Sequence, residues 1–424
     1  MTINGPGSTL LKVSGVGTTA IFKLDDGAGV HSMKVAIGKL TLLRGNAAYG
    51  GAIFNNNDDV DLRQCTLSDN VSIQQGGAYF ANDGRLTVED CEFLRNRSKQ
   101  STGGAIHMQT GSLTVLRTNF NANQSESGGG AITMNNGTDV TVRRCTITNN
   151  FSNGSVSVGG GLALGSSGPL LIVKSTITGN KAAAGGGLGL SGSGATYINQ
   201  CTIAGNIAAG NGSFGDGGGV RLATAGAKVI TNSTISGNGA STTGGGIMAR
   251  SGAALTLRSC TVSGNFAASF GGGLCVDSFA STQTVELSTI VKNQSADSGG
   301  GIFAGRPISL FGTIVARNSA ASGGQDLRGG ASAVISAAFC LIQNADPAFA
   351  TILETAPGSN IIGLNPKIGA LKMNGGPTRT HALLSGSPAL NKGANTVPAE
   401  VFDQRGPTFK RIKGGRIDIG AFEL

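Results

Sequence analysis

The chain has 424 residues and a formal net charge of +9, and its composition excludes several classes of protein. Charged residues make up 13% and hydrophobic residues 39%, which excludes an intrinsically disordered chain, and the 71 glycines follow no three-residue period, which excludes collagen. No apolar run is long enough to span a bilayer, so no transmembrane helix is predicted.

The beginning of the chain does not have the pattern of a secretory signal peptide. Residues 1–15 lack both the basic segment and the apolar segment that such a peptide requires. They are instead typical of the middle of a strand-and-turn unit. We therefore expect the sequence to be a piece of a longer protein whose export signal lies upstream.

From residue 50 onward, a sequence unit recurs every 26 to 32 residues. Each unit starts with a glycine pair, then a small residue, then an aliphatic residue or Tyr. The pairs begin at Gly50, Gly76, Gly103, Gly129, Gly160, Gly186, Gly218, Gly245, Gly272 and Gly300. A second column with the same period consists of Asn70, Asn96, Asn123, Asn150, Asn180, Asn206, Asn238, Asn265 and Asn293. Two columns that share one period indicate a repeated structural unit.

Each unit is predicted to contain three short strands, as in "AIFN", "LTVED" and "CTIT". Such strands are too short to form a sheet alone, but each can pair in parallel with its copy in the next unit. The predicted fold class is all-β, a right-handed parallel β-helix of about 10–13 coils. We assign the coils to residues 1–335, and to residues 336–424 a C-terminal region that closes or follows the solenoid.

The glycines and the asparagine column have a structural explanation. Both are predicted to lie in sharp turns with positive φ, which glycine adopts without penalty and asparagine tolerates. Stacked asparagines can also hydrogen-bond to their copies in neighbouring coils. The nine asparagines are therefore predicted to form a structural turn ladder.

The cysteines are predicted to be structural. Cys65, Cys91, Cys145, Cys201 and Cys260 share one column with Ser and Thr, which indicates a small inward side chain. Cys65 and Cys91 lie on adjacent coils, and a disulfide between them is left open. The pattern places Cys275 on the outer face and Cys340 past the regular array. No thiolate metal site is predicted.

The outward column of the first strand contains no carboxylate, whereas a glycosidase needs two carboxylates about 5–9.5 Å apart. This column consists of Phe54, Phe80, His107, Thr133, Ala163, Gly189, Arg221, Met248, Cys275 and Phe303. The three histidines, His31, His107 and His381, are scattered along the chain. We therefore predict no catalytic residue.

The acidic pairs are predicted to lie in polar turns. The acidic pair Asp58 and Asp59 is not repeated in the next coil, whose equivalent segment is less acidic. Asp25 and Asp26 are interpreted in the same way. A bound cation such as calcium is the alternative interpretation. No metal and no cofactor are predicted.

A basic strip is the candidate binding site. Arg117, Arg143, Arg144 and Lys174 are predicted to lie on three successive coils, in two outward columns of the second strand. Such a ladder could bind a sulfated or uronate glycan by charge. Glu89 and Asp90, on the preceding coil, dilute the positive charge, and a solvated face is the alternative interpretation.

The repeats resemble those of a known family. The motif "GGAI" occurs at 50–53, 103–106 and 129–132, and F-x-x-N at 93–96 and 120–123. This pairing resembles the repeats of the chlamydial polymorphic membrane proteins. The resemblance implies a β-helical adhesin exposed at a cell surface.

The C-terminal region carries a second resemblance. Residues 360–393 contain N-P-x-I-G-x-L, N-G-G-P-T-x-T-H-A-L and G-S-P-A, and residues 403–424 contain D-Q-R-G and D-I-G-A-x-E. Together they resemble the choice-of-anchor Q domain of bacterial β-helix proteins. The resemblance implies a secreted or cell-surface location.

Two functions remain open at this point. The first is noncatalytic adhesion or polysaccharide contact. The second is a lyase or hydrolase acting on acidic glycans, with a site formed by the longer segments 151–161 and 207–219. The first is favoured because these segments contain Asp216 but no Lys, Arg, His or Glu. Nucleic-acid binding is not expected without a basic and aromatic stacking surface, and the oligomeric state is left open.

Overall fold

The computed structural model describes every residue except 18, 28–32, 213, 278–282, 332 and 395–400, so His31 lies outside the described residues. The chain forms two compact units. Unit 1 consists of Met1–Thr196 and Asn206–Gly210, and unit 2 consists of Tyr197–Gly205 and Asn211–Leu424. No helix among the described residues is long and apolar enough to cross a membrane.

Unit 1 is a parallel β-helix with three sheets. Sheet A contains Thr2–Asn4, Phe22–Leu24, Lys34–Gly38, Ile53–Asn55, Asp59–Arg63, Tyr79–Ala81, Arg85–Glu89, Ile106–Leu116, Ile132–Arg143, Leu162–Ser166, Leu170–Val173 and Leu188–Ser191. Sheet B contains Lys12–Ser14, Thr41–Leu43, Thr66–Ser68, Glu92–Leu94, Asn119–Asn121, Thr146–Thr148 and Thr176–Thr178. Sheet C contains Asn46–Ala47, Val71–Ser72, Arg97–Ser98, Gln124–Ser125, Phe151–Ser152, Lys181–Ala182 and Ile207–Ala208.

Unit 2 is also built from three parallel sheets. The strand Thr196–Asn199 has its first residue in unit 1 and its other residues in unit 2. In unit 2, sheet A contains Val220–Leu222, Gly226–Thr231, Ile247–Arg250, Ala253–Arg258, Leu274–Asp277, Gln283–Glu286, Ile302–Ala304, Ile308–Phe311, Leu327–Gly329, Ile335–Ala338 and Ile352–Glu354. Its sheet B contains Thr202–Ala204, Thr234–Ser236, Thr261–Ser263, Thr289–Val291, Ile314–Ala316, Leu341–Ile342 and Ile361–Ile362. Its sheet C contains Gly239–Ala240, Phe266–Ala267, Gln294–Ser295 and Ser319–Ala320, and an antiparallel pair, Ile368–Lys372 and Thr380–Leu383, follows the coils.

The predicted fold class, a right-handed parallel β-helix, is confirmed, but the strands are distributed differently from the prediction. The first and second strands of a unit belong to one sheet, and in two coils they are continuous, as Ile106–Leu116 and Ile132–Arg143. The third sheet consists of the two residues after each ladder asparagine, which the sequence pattern assigned to a turn. Two residues suffice because each pairs with its copy in the next coil, as Val71 does with Arg97.

The parallel register stacks the equivalent residues of successive coils on one another. Ile53 pairs with Tyr79, and Tyr79 with Ile106, so the inward aliphatic column is continuous within unit 1. All three side chains are completely buried. Period-2 alternation in each strand therefore fills the interior, as the sequence predicts.

The ladder asparagines hydrogen-bond inside the coils. In unit 1, Asn70 Nδ2 donates to Asn96 Oδ1 at 2.9 Å and to the carbonyl of Leu42 at 3.1 Å. None of the nine, all of which the structure describes, has a positive φ, so that part of the prediction is wrong. The preceding residue has it instead, as at Asp69 (φ 56°) and Arg95 (φ 53°). That turn directs the asparagine amide into the interior, where it pairs with backbone groups.

In unit 2 the C-terminal region covers the outer face of sheet B. Thr261 Oγ1 donates to Gln404 Oε1 at 2.6 Å, and Ser263 Oγ lies 2.9 Å from His381 Nε2. The buried Arg411 donates from Nη2 to the carbonyl of Leu287 at 3.1 Å. Residues distant in the sequence therefore close this face of the unit.

The motif D-Q-R-G contains a buried ion pair. Arg405 Nη2 lies 2.6 Å from Asp403 Oδ2, and both side chains are buried. The guanidinium also lies between the rings of Phe409 and Phe422, at 3.9 and 3.8 Å from their centroids. This buried pair therefore holds the C-terminal segment together.

Candidate functional site

The basic strip lies at the boundary between sheets A and B of unit 1. Arg117 (φ 46°), Arg144 (φ 55°) and Lys174 (φ 52°) occupy a left-handed turn after the second strand, and Arg143 is the last residue of its strand. The prediction that all four lie within strands is therefore wrong for three of them. A residue with positive φ ends the strand and redirects the chain into sheet B.

These residues lie on consecutive coils. Arg117 N donates to the carbonyl of Arg143 at 3.0 Å, and Arg144 N donates to that of Val173 at 2.9 Å. Parallel strands repeat at about 4.8 Å, so Arg117, Arg144 and Lys174 form a close column of cations. Arg143 lies beside the column, on the outer face of sheet A.

Arg117 is neutralised by its neighbours. Its Nε lies 2.7 Å from Asp90 Oδ1, and its Nη2 contacts Glu89. The hydrogen bonds that Arg117 donates to Asp90 and to Glu89 raise the pKa of Arg117, and the Arg117 guanidinium lowers the pKa of Asp90. Glu89 also pairs with Arg63 at 3.4 Å. This end of the strip therefore has no excess positive charge.

Arg143, Arg144 and Lys174 are exposed, and within the described part of the chain none of them forms a salt bridge. The adjacent outer face of sheet B presents hydroxyl groups, which belong to Thr146, Thr148, Thr176 and Thr178. Three uncompensated cations beside a row of hydroxyls are suited to a ligand with both anionic and hydroxyl groups.

More than half of the outward column of the first strand is buried, contrary to the prediction. Phe80 is 4% exposed and His107 is completely buried. Residues just before the glycine pairs lie over them, because the Tyr49 and Phe80 ring centroids are 5.0 Å apart and Thr102 Oγ1 lies 2.6 Å from His107 Nδ1. Burial lowers the pKa of His107 to about 4, so this imidazole is neutral at pH 7.

The acidic pair Asp58 and Asp59 is engaged in structure. Asp58 is 2% exposed, and its Oδ1 accepts a hydrogen bond from Met33 N at 3.0 Å. Asp59 begins a strand rather than lying in the predicted turn, and its Oδ2 lies 3.5 Å from Arg85 Nε. Among the residues that the structure describes, no group of three or more His, Cys, Asp or Glu could hold a metal ion.

All seven cysteines, each of which the structure describes, are buried, and none of them is in a disulfide. Cys65 and Cys91 are not bridged, and Cys65 N donates to Cys91 Sγ at 3.3 Å. Cys275 is 2% exposed rather than on an open outer face. Cys340 belongs to the regular column rather than past it: its Sγ donates to the carbonyl of Ala338, as Thr313 Oγ1 does to that of Phe311.

The structure also brings together residues that the sequence pattern did not connect. In unit 2, Asp216 and Arg250 lie on the wall of a cavity of about 410 Å³ with Asp277, Phe270 and Phe303. Asp216 comes from the longer segment 207–219, and the arginine that binds it lies 34 residues further on. The extra length of that repeat is the only sequence signal for this cavity.

Comparison with known proteins adds the family. A family model described as "Right handed beta helix region" matches residues 11–166 and 157–335. No curated protein and no solved structure matches the chain.

Proposed function

Because the chain belongs to the right handed beta helix family, we propose that it is a noncatalytic protein that binds an anionic polysaccharide. The binding site is the part of the basic strip in unit 1 that consists of Arg143, Arg144 and Lys174. Secretion or display at a cell surface, and the kinship of residues 336–424 with the choice-of-anchor Q domain, belong to the same proposal.

The observation that carries the proposal is the charge of the strip. Arg143, Arg144 and Lys174 are exposed and form no salt bridge within the described residues, whereas Arg117 is paired with two carboxylates. Guanidinium groups bind sulfate and carboxylate through paired hydrogen bonds, and an ammonium group adds a point charge. The neighbouring threonine hydroxyls of sheet B supply partners for the hydroxyl groups of a sugar.

Binding to a polysaccharide panel tests the proposal. The triple variant Arg143→Gln, Arg144→Gln, Lys174→Gln is compared with Arg97→Gln, Lys99→Gln, Lys181→Gln. The second variant removes three exposed cations from the sheet C side of the same unit. Co-sedimentation with heparin and polygalacturonate, and with neutral amylose as a control, measures the affinity.

We expect the strip variant to bind the anionic polymers about tenfold more weakly than the control variant. Binding to heparin should weaken as salt is added, because exposed charges are screened. Equal affinities for the two triple variants would contradict the proposal. Release of unsaturated uronate or of new reducing ends would contradict the proposal that the protein is noncatalytic.

A further inference from the structure

The cavity in unit 2 has a buried charged wall. The side chain of Asp216 is 3% exposed and lies 2.8 Å from Arg221 Nε through one oxygen and 2.8 Å from Arg250 Nη1 through the other. A carboxylate offers about four acceptor positions, and these two arginines use two of them. Asp216 and Arg250 both line the cavity, so a hydroxyl group bound there would lie beside this ion pair.

Another part of the cavity lining is apolar and aromatic. The rings of Phe270 and Phe303 are stacked with centroids 4.7 Å apart, and both side chains are partly exposed. Met248 and Cys275 continue this wall, since Cys275 is the register partner of both Met248 and Phe303. Aromatic faces of this kind pack against the C–H groups of a sugar ring.

Asp277 and Gly305 form the rim. Asp277 is exposed and forms no hydrogen bond or ion pair within the described residues. A Cβ atom at Gly305 would lie 3.4 Å from Asp277 Oδ1 and 3.6 Å from Phe303 Cε1. The free carboxylate and the aromatic ring therefore face the same small volume, which the glycine leaves open.

We propose that this cavity binds one neutral hexopyranose unit of a polysaccharide. Asp216 and Asp277 are balanced by Arg250, which also lines the cavity, and by Arg221, which binds Asp216 but is not part of the lining, so the site does not select an anionic sugar. Its volume lies within the range of about 300–1,000 Å³ found for small-ligand sites. The ring packs on Phe303, and its hydroxyl groups bond to Asp216, Arg250 and Asp277. The inference does not depend on the basic strip, which lies in the other unit.

The test uses the whole chain with cellohexaose, maltohexaose and mannohexaose as neutral probes and hexagalacturonate as the anionic probe. Affinity is measured by calorimetry, and contact by saturation-transfer NMR. The variant Phe303→Ala is compared with Phe266→Ala, which removes an exposed phenylalanine from sheet C of the same unit. Asp277→Asn is the second variant, because an exposed side chain with no partner within the described residues is not needed for folding.

We expect at least one neutral hexasaccharide to bind the unaltered chain and Phe266→Ala equally. Phe303→Ala and Asp277→Asn should each weaken that binding by about tenfold while thermal unfolding shows both variants folded. The proposal is overturned if no neutral hexasaccharide binds, or if Phe303→Ala and Phe266→Ala behave alike. It is also overturned if hexagalacturonate binds as tightly and is lost in Asp277→Asn. A negative result with the neutral hexasaccharides does not affect the heparin result for the basic strip.

Discussion

At the scale of single residues, each asparagine of the ladder forms hydrogen bonds with several buried groups at once. Asn123 Nδ2 donates to the carbonyl of Phe93 at 2.9 Å and to Asn150 Oδ1 at 2.9 Å. Its Oδ1 accepts hydrogen bonds from both Asn96 N and Asn96 Nδ2 at 3.0 Å. A change at one rung therefore affects two neighbouring coils, because each amide is both donor and acceptor.

The first prediction concerns this rung. Asn123→Ala should lower the free energy of unfolding of unit 1 by more than about 2 kcal/mol, since each buried group left unpaired costs about 1–3 kcal/mol. Asn119→Ala, on the outer face of sheet B, is the matched control and should cost less than about 1 kcal/mol. Urea unfolding of both variants measures the difference, and equal losses would show that the ladder adds no stability of its own.

In unit 2 the ladder ends on a carboxylate instead of an amide. Asn318 Nδ2 donates to Asp326 Oδ1 at 2.8 Å, and Asn344 N donates to Asp326 Oδ2 at 2.7 Å. Burial raises the pKa of Asp326 to about 6. Asp326 is 1% exposed, so the ionised form is buried at pH 7.

The second prediction follows from this pKa. Between the usual value of 3.8 and about 6, the folded chain holds a proton that the unfolded chain has lost, so the stability of unit 2 falls as pH rises through this window. The loss amounts to roughly 3 kcal/mol at about 1.4 kcal/mol per pH unit. Asp326→Asn should remove this component, measured as the change in unfolding free energy between about pH 4 and about pH 7. Asp297→Asn, which alters a partly exposed carboxylate of unit 2, is the control, and an unchanged pH dependence in Asp326→Asn would contradict the prediction.

At the scale of strands and sheets, sheet B differs between the two units. In unit 1 its outer residues Glu92, Thr146 and Thr176 are exposed. In unit 2 the corresponding Thr261 and Ile314 are 0% and 1% exposed because the C-terminal region packs on them. Strands of the same length and pairing therefore form an open surface in one unit and part of a core in the other.

The third prediction tests this packing. Gln404 accepts a hydrogen bond from Thr261 and donates to Thr234 Oγ1 at 3.0 Å and to Thr378 Oγ1 at 3.0 Å. Gln404→Ala leaves these buried groups unpaired and should destabilise the C-terminal region by about 1–3 kcal/mol. Hydrogen exchange of residues 403–424 should then accelerate, while the amides of sheet B in unit 1 keep their protection. Unchanged exchange in residues 403–424 would show that the apolar contacts alone hold the region.

At the scale of the whole molecule, charge is unevenly distributed. Nine basic and four acidic residues follow residue 363, which supplies +5 of the net charge of +9. By contrast, the three cations Arg143, Arg144 and Lys174 lie together on one surface of unit 1. Total charge and local arrangement therefore make different contributions to binding an anionic polymer.

The fourth prediction separates these contributions. Both triple variants lower the net charge from +9 to +6, so a sulfonate cation-exchange resin should retain them equally at pH 7. Only the strip variant should lose affinity for heparin. If the two triple variants lose affinity for heparin equally, as they lose retention on the resin, then net charge and not the strip governs binding.

The repeated columns were sufficient to predict the β-helix and the residues of its interior. Each strand pairs with its copy in the next coil, so the alternation around Ile53, Tyr79 and Ile106 by itself indicates which side chains face inward. The placement of Arg117, Arg144 and Lys174 on successive coils also followed from the repeat, whereas glycan binding by these residues stays a prediction. The positive φ before each asparagine was missed, because residues as different as Asp69, Arg95 and Ala122 occupy that position.

Which outer surfaces are open was decided only by the tertiary structure. Gln404 lies 143 residues from its partner Thr261, and Asp216 lies 34 residues from Arg250. No periodic pattern within the coils encodes a contact between a coil and a segment outside the repeat. The sequence by itself therefore determined the fold and its interior, whose contacts repeat from coil to coil, and the tertiary structure determined the covered faces and the cavity, whose contacts occur once.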